Sequence, residues 1–285
     1  MKETSTLLSK IAIGTVQFGL DYGISNKIGQ TTLKEAKEIL LHAYQSGIRT
    51  LDTAQAYGSS EDTLGKIGVA NWNTITKINP RDSNTNVLEL VSNSMTKIGL
   101  SHIYAVLFHN ANIVLNNIGL IEQLKEIREG GRISKIGYSV YSTQELEKLI
   151  DKVGLPDIVQ VPFNYLDRKF TNLLILLKNQ GVEIHTRSAF LQGLFFMRPD
   201  DLNSFFDPVK PFLKELNTVC PTSVEKVSFL LNFVLRQTFI DKVVIGTNSV
   251  DQLKDNLKAV SMQIPYTAIP IGDIPEKITS PNLWP

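Results

Sequence analysis

"TTLKEAKEILLHAYQSGIRTLD", residues 31–52, decides the reading of the fold. Leu33–Ser46 has helical period, and Thr32 with Glu35 three residues on forms a capping box at its start. Gly47 stops the helix, because glycine takes the left-handed backbone at a helix end without strain. Ile48–Asp52 then reads as a strand. One helix, one stop and one short apolar strand make a single unit, and the same unit recurs on both sides of it.

Upstream, Ile11–Phe18 reads as a strand. Downstream, Glu61–Ile67 is a short helix, Thr74–Ile78 a strand and Val87–Ile98 a helix ending at Gly99. Ile103–Phe108 is a strand, and Ile118–Arg128 a helix that stops at Gly130 and Gly131. Ser134–Ser139 is a strand, followed by a helix to Asp151 with Ser142 and Glu145 as its capping box. Asp157–Val161 and Val182–Arg187 are strands flanking a helix over Lys169–Asn179 with Gly181 after it. Val224–Arg236 is a helix capped by Thr222 and Glu225, Val243–Ile245 a strand, and Val250–Val260 a helix capped by Ser249. The result is eight strand–helix units in unbroken alternation.

Alternating strands and helices imply a parallel sheet. Strands covered on both faces read as continuous apolar runs, as "IAIGTVQF", "IYAVLF" and "DKVVIG" do. Two α/β architectures compete, the closed (β/α)8 barrel and the doubly wound open sheet. Eight units in a barrel need roughly 250 residues, close to the 285 present. The open sheet usually carries G-x-G-x-x-G after its first strand, and that motif does not occur here. The expectation is a single barrel domain over residues 1–285. It carries an elaborated loop at 191–211, rich in proline, and an irregular tail from Pro265 to Pro285 lying across the barrel.

Composition narrows the function. The net charge of +1 pulls toward neither nucleic acid nor an anionic membrane. The single cysteine, Cys220, rules out an internal disulfide. Met1–Lys10 lacks the apolar core of a signal peptide, and no stretch reaches the roughly 18 apolar residues of a membrane span. A cytoplasmic protein is expected, acting as a monomer or small homo-oligomer on a small molecule, with no nucleic-acid or membrane partner.

In a barrel, chemistry sits where strands end, at the C-terminal face. The second strand ends in Asp52, the loop after it holds Tyr57, the third strand ends near Lys77 and the fourth at His109. A tyrosine of pKa ~10 is a weak acid near neutrality, and an adjacent ammonium lowers that value. A carboxylate on the lysine keeps it charged and oriented, and a neutral histidine orients a carbonyl oxygen. Together the four would protonate an oxygen as it gains negative charge. Taken singly, each has an ordinary use: Asp52 as a helix cap, Tyr57 as a packing ring, Lys77 as a rim cation and His109 as a core histidine.

"LDTAQAYGSSEDTLGK" at 51–66 resembles the aldo-keto reductase signature D-T-A-x-x-Y-G-x-S-E-x-x-L-G. Further matches follow in order along nearly the whole chain: "IGTVQFG" at 13–19, "TITKI" at 74–78, "LFHN" at 107–110, "KIGYSV" at 135–140, "VQVPFNYLDR" at 159–168, "RSAFLQGLF" at 187–195 and "VVIGTNSVDQLKDNL" at 243–257. The resemblance implies a (β/α)8 barrel, reduction of an aldehyde or ketone with NADPH or NADH, and a catalytic tetrad of Asp52, Tyr57, Lys77 and His109. Tyr57 would be the general acid, Lys77 and Asp52 would tune it, and His109 would position the carbonyl.

The resemblance also implies a dinucleotide site. Gln160 falls where the family holds the nicotinamide carboxamide, with Ser139 in the same cluster and Thr15 nearby. Val140 stands where an Asn often follows that serine. Arg187 takes the place of a planar group stacked on the nicotinamide, a role a guanidinium can fill. Ser188 and the backbone of Leu191, Gln192 and Gly193 would hold the pyrophosphate. At the adenosine end, members that prefer NADPH place Lys and Arg where this chain has Gly246 and Gln252. Thr247, Ser249 and the N-terminus of the 250–260 helix are left to accept a phosphate. Asp255 and Asn256 match the adenine contacts. A reduced preference for NADPH, with dual use or NADH, is expected.

Aromatic residues Phe18, Tyr22 and Phe163, with Asn110, are expected to line the substrate pocket, an apolar cup suited to small carbonyl compounds. The sequence does not separate an aromatic aldehyde from a sugar or a steroid. His42, His102, His185 and Cys220 read as structural, "GYSVY" at 137–141 lacks the second glycine of a nucleophile elbow, and no metal-spaced ligand set occurs. A rival reading is an NAD(P)H-binding regulatory subunit with little turnover.

Overall fold

A computed structural model describes residues 2–82, 84–262 and 268–285. Eight strands run in chain order around a closed parallel barrel: β1 (Ile11–Gly14), β2 (Thr50–Asp52), β3 (Asn73–Ile78), β4 (Ile103–Phe108), β5 (Ile133–Ser139), β6 (Ile158–Pro162), β7 (Glu183–Arg187) and β8 (Lys242–Gly246). Closure is made by β1 against β8, with Ile11 opposite Val243 and Gly14 opposite Gly246. This decides between the two architectures the alternation allowed, since a doubly wound sheet would leave two edges.

The helix at Leu33–Gln45 shows how local sequence makes a unit. Thr32 caps it by accepting from Glu35 N at 3.2 Å. Ala36, Ile39, Leu40 and Ala43 recur at helical spacing and are buried. Each buried Leu or Ile side chain contributes about 1.5–3 kcal/mol. Gly47, at φ 90°, ends the turn in a conformation glycine alone takes freely.

Alternation along each strand sorts its side chains between the barrel interior and the helical shell. Ile75, Ala105, Leu107 and Ile158 form an apolar layer of their own inside the barrel. Lys77 lies two residues beyond Ile75 and so shares its inward face, one layer nearer the C-terminal mouth. Ile78 faces the other way, into the main core between strands and helices. At the opposite end, Glu183 gathers Tyr104 Oη at 2.7 Å, His185 Nε2 at 2.6 Å and the Lys135 ammonium. That network gives His185 a structural place.

Three segments differ from the sequence reading. The strand expected to reach Phe18 stops at Gly14, because Val16–Phe18 coil into a 3-10 turn with Phe18 sealed in the core. Lys2–Ser9 is a helix, anchored by buried Leu7. Residues 191–209 form three 3-10 turns, and Lys210–Val219 is a regular helix. Pro211 lies in that helix's first turn, where a missing N–H costs nothing. In the tail, Glu276–Thr279 is a short helix and Pro281–Leu283 a 3-10 turn, whereas 265–267 lie outside the described residues.

Candidate active site

The loop after β2 is held by backbone-on-backbone packing. A Cβ at Gly19 would fall 1.8 Å from Tyr57 O, and one at Gly58 would fall 2.4 Å from Gly19 O. Ser60 Oγ donates to the Thr15 hydroxyl at 2.7 Å, and Thr76 Oγ1 donates to Glu61 Oε1 at 2.6 Å. Gly65 lets its helix approach the next, since a Cβ there would meet Lys97 O at 2.0 Å. Gly58 and Ser60 of the 51–66 motif therefore hold the tyrosine loop against the first strand's loop, while Glu61 and Gly65 seat the following helix. The sequence reading missed this division of labour.

The structure brings the four strand-end residues together. Lys77 Nζ lies 2.6 Å from Asp52 Oδ2, donates to Thr53 O at 3.0 Å and lies 3.5 Å from Tyr57 Oη. The Tyr57 and His109 rings meet edge to face, with centroids 5.9 Å apart. Gln160 Nε2 donates to Asp52 Oδ1 at 2.6 Å, so both carboxylate oxygens are engaged. Burial pulls the Lys77 ammonium down, but Asp52 and Tyr57 together outweigh it and hold its pKa above the ordinary lysine value. His109 is lowered to about 4 by burial and by Lys77, so its imidazole is neutral at neutral pH.

Tyr57 departs from the expected direction. The Lys77 ammonium does favour the phenolate, but burial of the phenol outweighs it and the pKa is raised. Without bound ligand, Tyr57 keeps its proton. Tyr22, across the cavity, is raised to about 12, chiefly by burial.

A cavity of about 610 Å³ runs from Tyr57 and His109 to Ser249 and Gln252. Thr15, Ser139, Gln160, Arg187 and Ser188 line it, with Gln192, Gly193 and Gly246. The buried Gln160 Oε1 and Gln17 Oε1 have no hydrogen-bond partner among the described residues. Arg187 places Cζ 4.1 Å from the centroid of the Tyr141 ring and donates to Val140 O at 3.3 Å. Val140, lacking the amide of an Asn, thus contributes its carbonyl.

The segment after β7 is strained. Ser188, Leu191 and Gln192 have φ of 65°, 46° and 52°, at a cost of about 1–3 kcal/mol each. Leu191 buries its side chain in the second core cluster and does not line the cavity, unlike Gln192 and Gly193 beside it. The loop after β1 packs on this segment. Ile24 N donates to Gln192 O at 3.1 Å, and Ser25 fills the space a Cβ at Gly193 would need.

At the far end several donors are engaged within the chain. Val250 N donates to Glu35 Oε1 at 2.7 Å, and Gln252 N to Ser249 Oγ at 3.1 Å. Thr247 is buried, with Oγ1 donating to Ser249 O at 3.0 Å. Lys254 pairs with Asp251 on the surface at 3.4 Å. Of the helix start expected from the sequence to accept a phosphate, Val250 N and Gln252 N are thus bound within the chain, while Ser249 and Gln252 line the cavity. Asp255 is exposed and Asn256 buried, and neither lines the cavity. Lys27, Asn248 and Gln17 do line it; nothing in their local sequence marks them.

Of the expected substrate-pocket residues, Tyr22 lines the cavity and Asn110 lines a neighbouring one. Phe18 and Phe163 do not. Phe18 is fully buried in the core, and Phe163 stacks on Phe233 with centroids 6.0 Å apart. Strand-end aromatics on the outward face pack against helices, so the apolar cup expected from them is absent.

The family model described as "Aldo/keto reductase family" matches residues 10–273. The chain is 23% identical to the uncharacterized oxidoreductase YqkF of Bacillus subtilis (strain 168), over 89% of this chain and 88% of that protein. It is 23% identical to L-galactose dehydrogenase of Arabidopsis thaliana, over 88% and 85%. Among solved structures, aldo-keto reductase AKR11C1 from Bacillus halodurans in its holo form superposes with a TM-score of 0.71 at 22% identity, covering 90% of this chain and 88% of that one.

Proposed function

The chain belongs to the aldo/keto reductase family, and from that premise we propose that Tyr57 delivers a proton to the oxygen of an aldehyde or ketone at the mouth of the barrel. The observation that carries the reading is the sealed contact of Lys77 with both Asp52 and Tyr57, at 2.6 and 3.5 Å. A reduced nicotinamide dinucleotide, when bound, supplies the hydride.

The residues present fit that group. Gln160 Oε1 is a buried acceptor beside the tetrad, without a partner among the described residues and suited to a carboxamide N–H. The left-handed backbone of Leu191, Gln192 and Gly193 suits the diphosphate. Tyr57 starts protonated, Lys77 starts cationic, and both bias a nearby oxygen toward accepting the proton as charge grows on it. His109, neutral, orients the oxygen by a hydrogen bond. Asp52, held by Lys77 and Gln160, fixes the ammonium.

The same reading favours NADH. The Glu35 carboxylate occupies the start of the 250–260 helix, and a 2′-phosphate there would meet a like charge. Purified protein should bind NADH with a fluorescence change and oxidise it when offered aldehydes. Binding without turnover across a broad carbonyl panel would overturn the reductase reading.

A further inference from the structure

A second cavity of about 660 Å³ opens beside the tetrad and shares His109, Ser139, Tyr141 and Asn282 with the first. Its remaining wall is mostly polar, with Ala56 and Leu115 among the amides and charges. Asn79 follows β3, Asn110 and Asn112 follow β4, and Gln144, Glu145 and Lys148 stand on the helix Thr143–Val153. Three separate segments thus bring amides and charges to one hollow, a single side chain away from the proton donor.

These groups are only partly used by the fold. Asn110 Oδ1 accepts from Asn112 N at 3.3 Å, and its amide donors have no partner among the described residues. Glu145 is half-buried, and its carboxylate is bound to the backbone of Tyr141, whose N donates to Oε2 at 3.1 Å, and of Ser142. Lys148 makes no ion pair among the described residues. An alkyl or aryl substituent placed here would cover donors and acceptors without replacing their water, which lowers affinity. A chain of hydroxyl groups, each donor and acceptor at once, would satisfy them.

We propose that this hollow receives the hydroxyl-bearing chain of a polyhydroxylated aldehyde or ketone, with the carbonyl between Tyr57 and His109. The assignment rests on the reductase reading above and names its substrate class.

The test compares substrates of equal carbon length that differ in hydroxyls: erythrose against butanal, and glyceraldehyde against propanal. The expected result is a kcat/KM at least ten-fold higher for the hydroxylated member of each pair. The ratio should fall toward one in Asn110→Leu and in Gln144→Leu. Equal or better use of the unsubstituted aldehydes by the wild-type chain would overturn the proposal. Calorimetric titration of the NAD-loaded protein with erythritol and with 1-butanol decides the same question without turnover. Erythritol should bind, and bind at least ten-fold more weakly in Asn110→Leu. Binding of butanol alone, or of neither alcohol, would overturn the substrate class. Erythritol binding with no reduction of any aldehyde would instead leave the class standing and remove the reductase reading.

Discussion

Gln160 reaches across the barrel mouth from β6 to donate to Asp52 on β2 at 2.6 Å. The contact joins residues 108 positions apart and leaves Asp52 with one oxygen on an amide and the other on the Lys77 ammonium. A carboxylate hydrogen-bonded on both oxygens is held in place. The Lys77 ammonium beside Tyr57 is thereby set by two further residues, one of which, Gln160, also lines the cavity.

Removing the phenol tests the acid directly. Tyr57→Phe should reduce turnover by about 10²–10⁴-fold, the usual worth of a positioned proton donor. NADH binding, read by fluorescence titration, should change by less than about three-fold, since the lost hydroxyl has no role in holding the dinucleotide. Near-normal turnover in this variant would reassign the acid.

The buried ion pair should behave as a unit. Lys77→Met strands the Asp52 carboxylate in a site where the two side chains are 1% and 3% exposed. Breaking such a pair costs about 3–5 kcal/mol. Asp52→Asn with Lys77→Met should cost less than the sum of the single changes. Urea unfolding of the four proteins measures the coupling, and strict additivity would show that the contact contributes nothing.

His109 gives the fold an acid sensitivity of known sign. Its pKa is lowered from 6.5 to about 4 in the folded protein. The unfolded chain therefore binds the extra proton first, and stability falls as pH drops from about 6.5 toward 4. The full effect is on the order of 3 kcal/mol. His109→Gln should flatten this part of the stability–pH curve relative to wild type, as read by thermal melts between those values.

Nucleotide choice should respond to a residue outside the groove. Glu35→Gln keeps an acceptor for Val250 N, now at 2.7 Å from a carboxylate, but removes the charge. NADPH should gain about two- to five-fold on NADH, the scale of one charge at a helix terminus. The ratio of dissociation constants is the readout, and an unchanged ratio would remove Glu35 from selection.

Gly65→Ala separates positioning from chemistry. The added methyl would sit 2.0 Å from Lys97 O between two helices, an overpacking that costs about 1–3 kcal/mol. The unfolding midpoint should fall while kcat in the remaining folded protein stays within about two-fold.

Much of this molecule is legible in one dimension because its cues are local. Capping residues Thr32, Ser142 and Thr222 accept from the backbone three residues on, as their spacing implied. Strand ends must meet at one face of a parallel barrel, so Asp52, Lys77 and His109 could be grouped before any contact was known. Other features depend on what packs around a residue. Phe18 and Phe163 follow strand ends just as Tyr22 and Asn110 do, but they turn into the core. Lys27 reaches the groove from a loop whose path is set by Gln192 and Gly193.

The alternation of strands and helices, the grouping of Asp52, Tyr57, Lys77 and His109 at one barrel face, and the family were all readable along the chain. Each rests on residue identity and short spacing. Only the tertiary structure decided that β8 closes on β1, that Glu35 fills the helix start at Val250, and that a polar hollow flanks His109. It also reversed the direction expected for Tyr57. Burial and long-range contact are properties of the packed chain: the ammonium at Lys77 was foreseeable from spacing, whereas the desolvation that outweighs it follows from everything folded around the phenol.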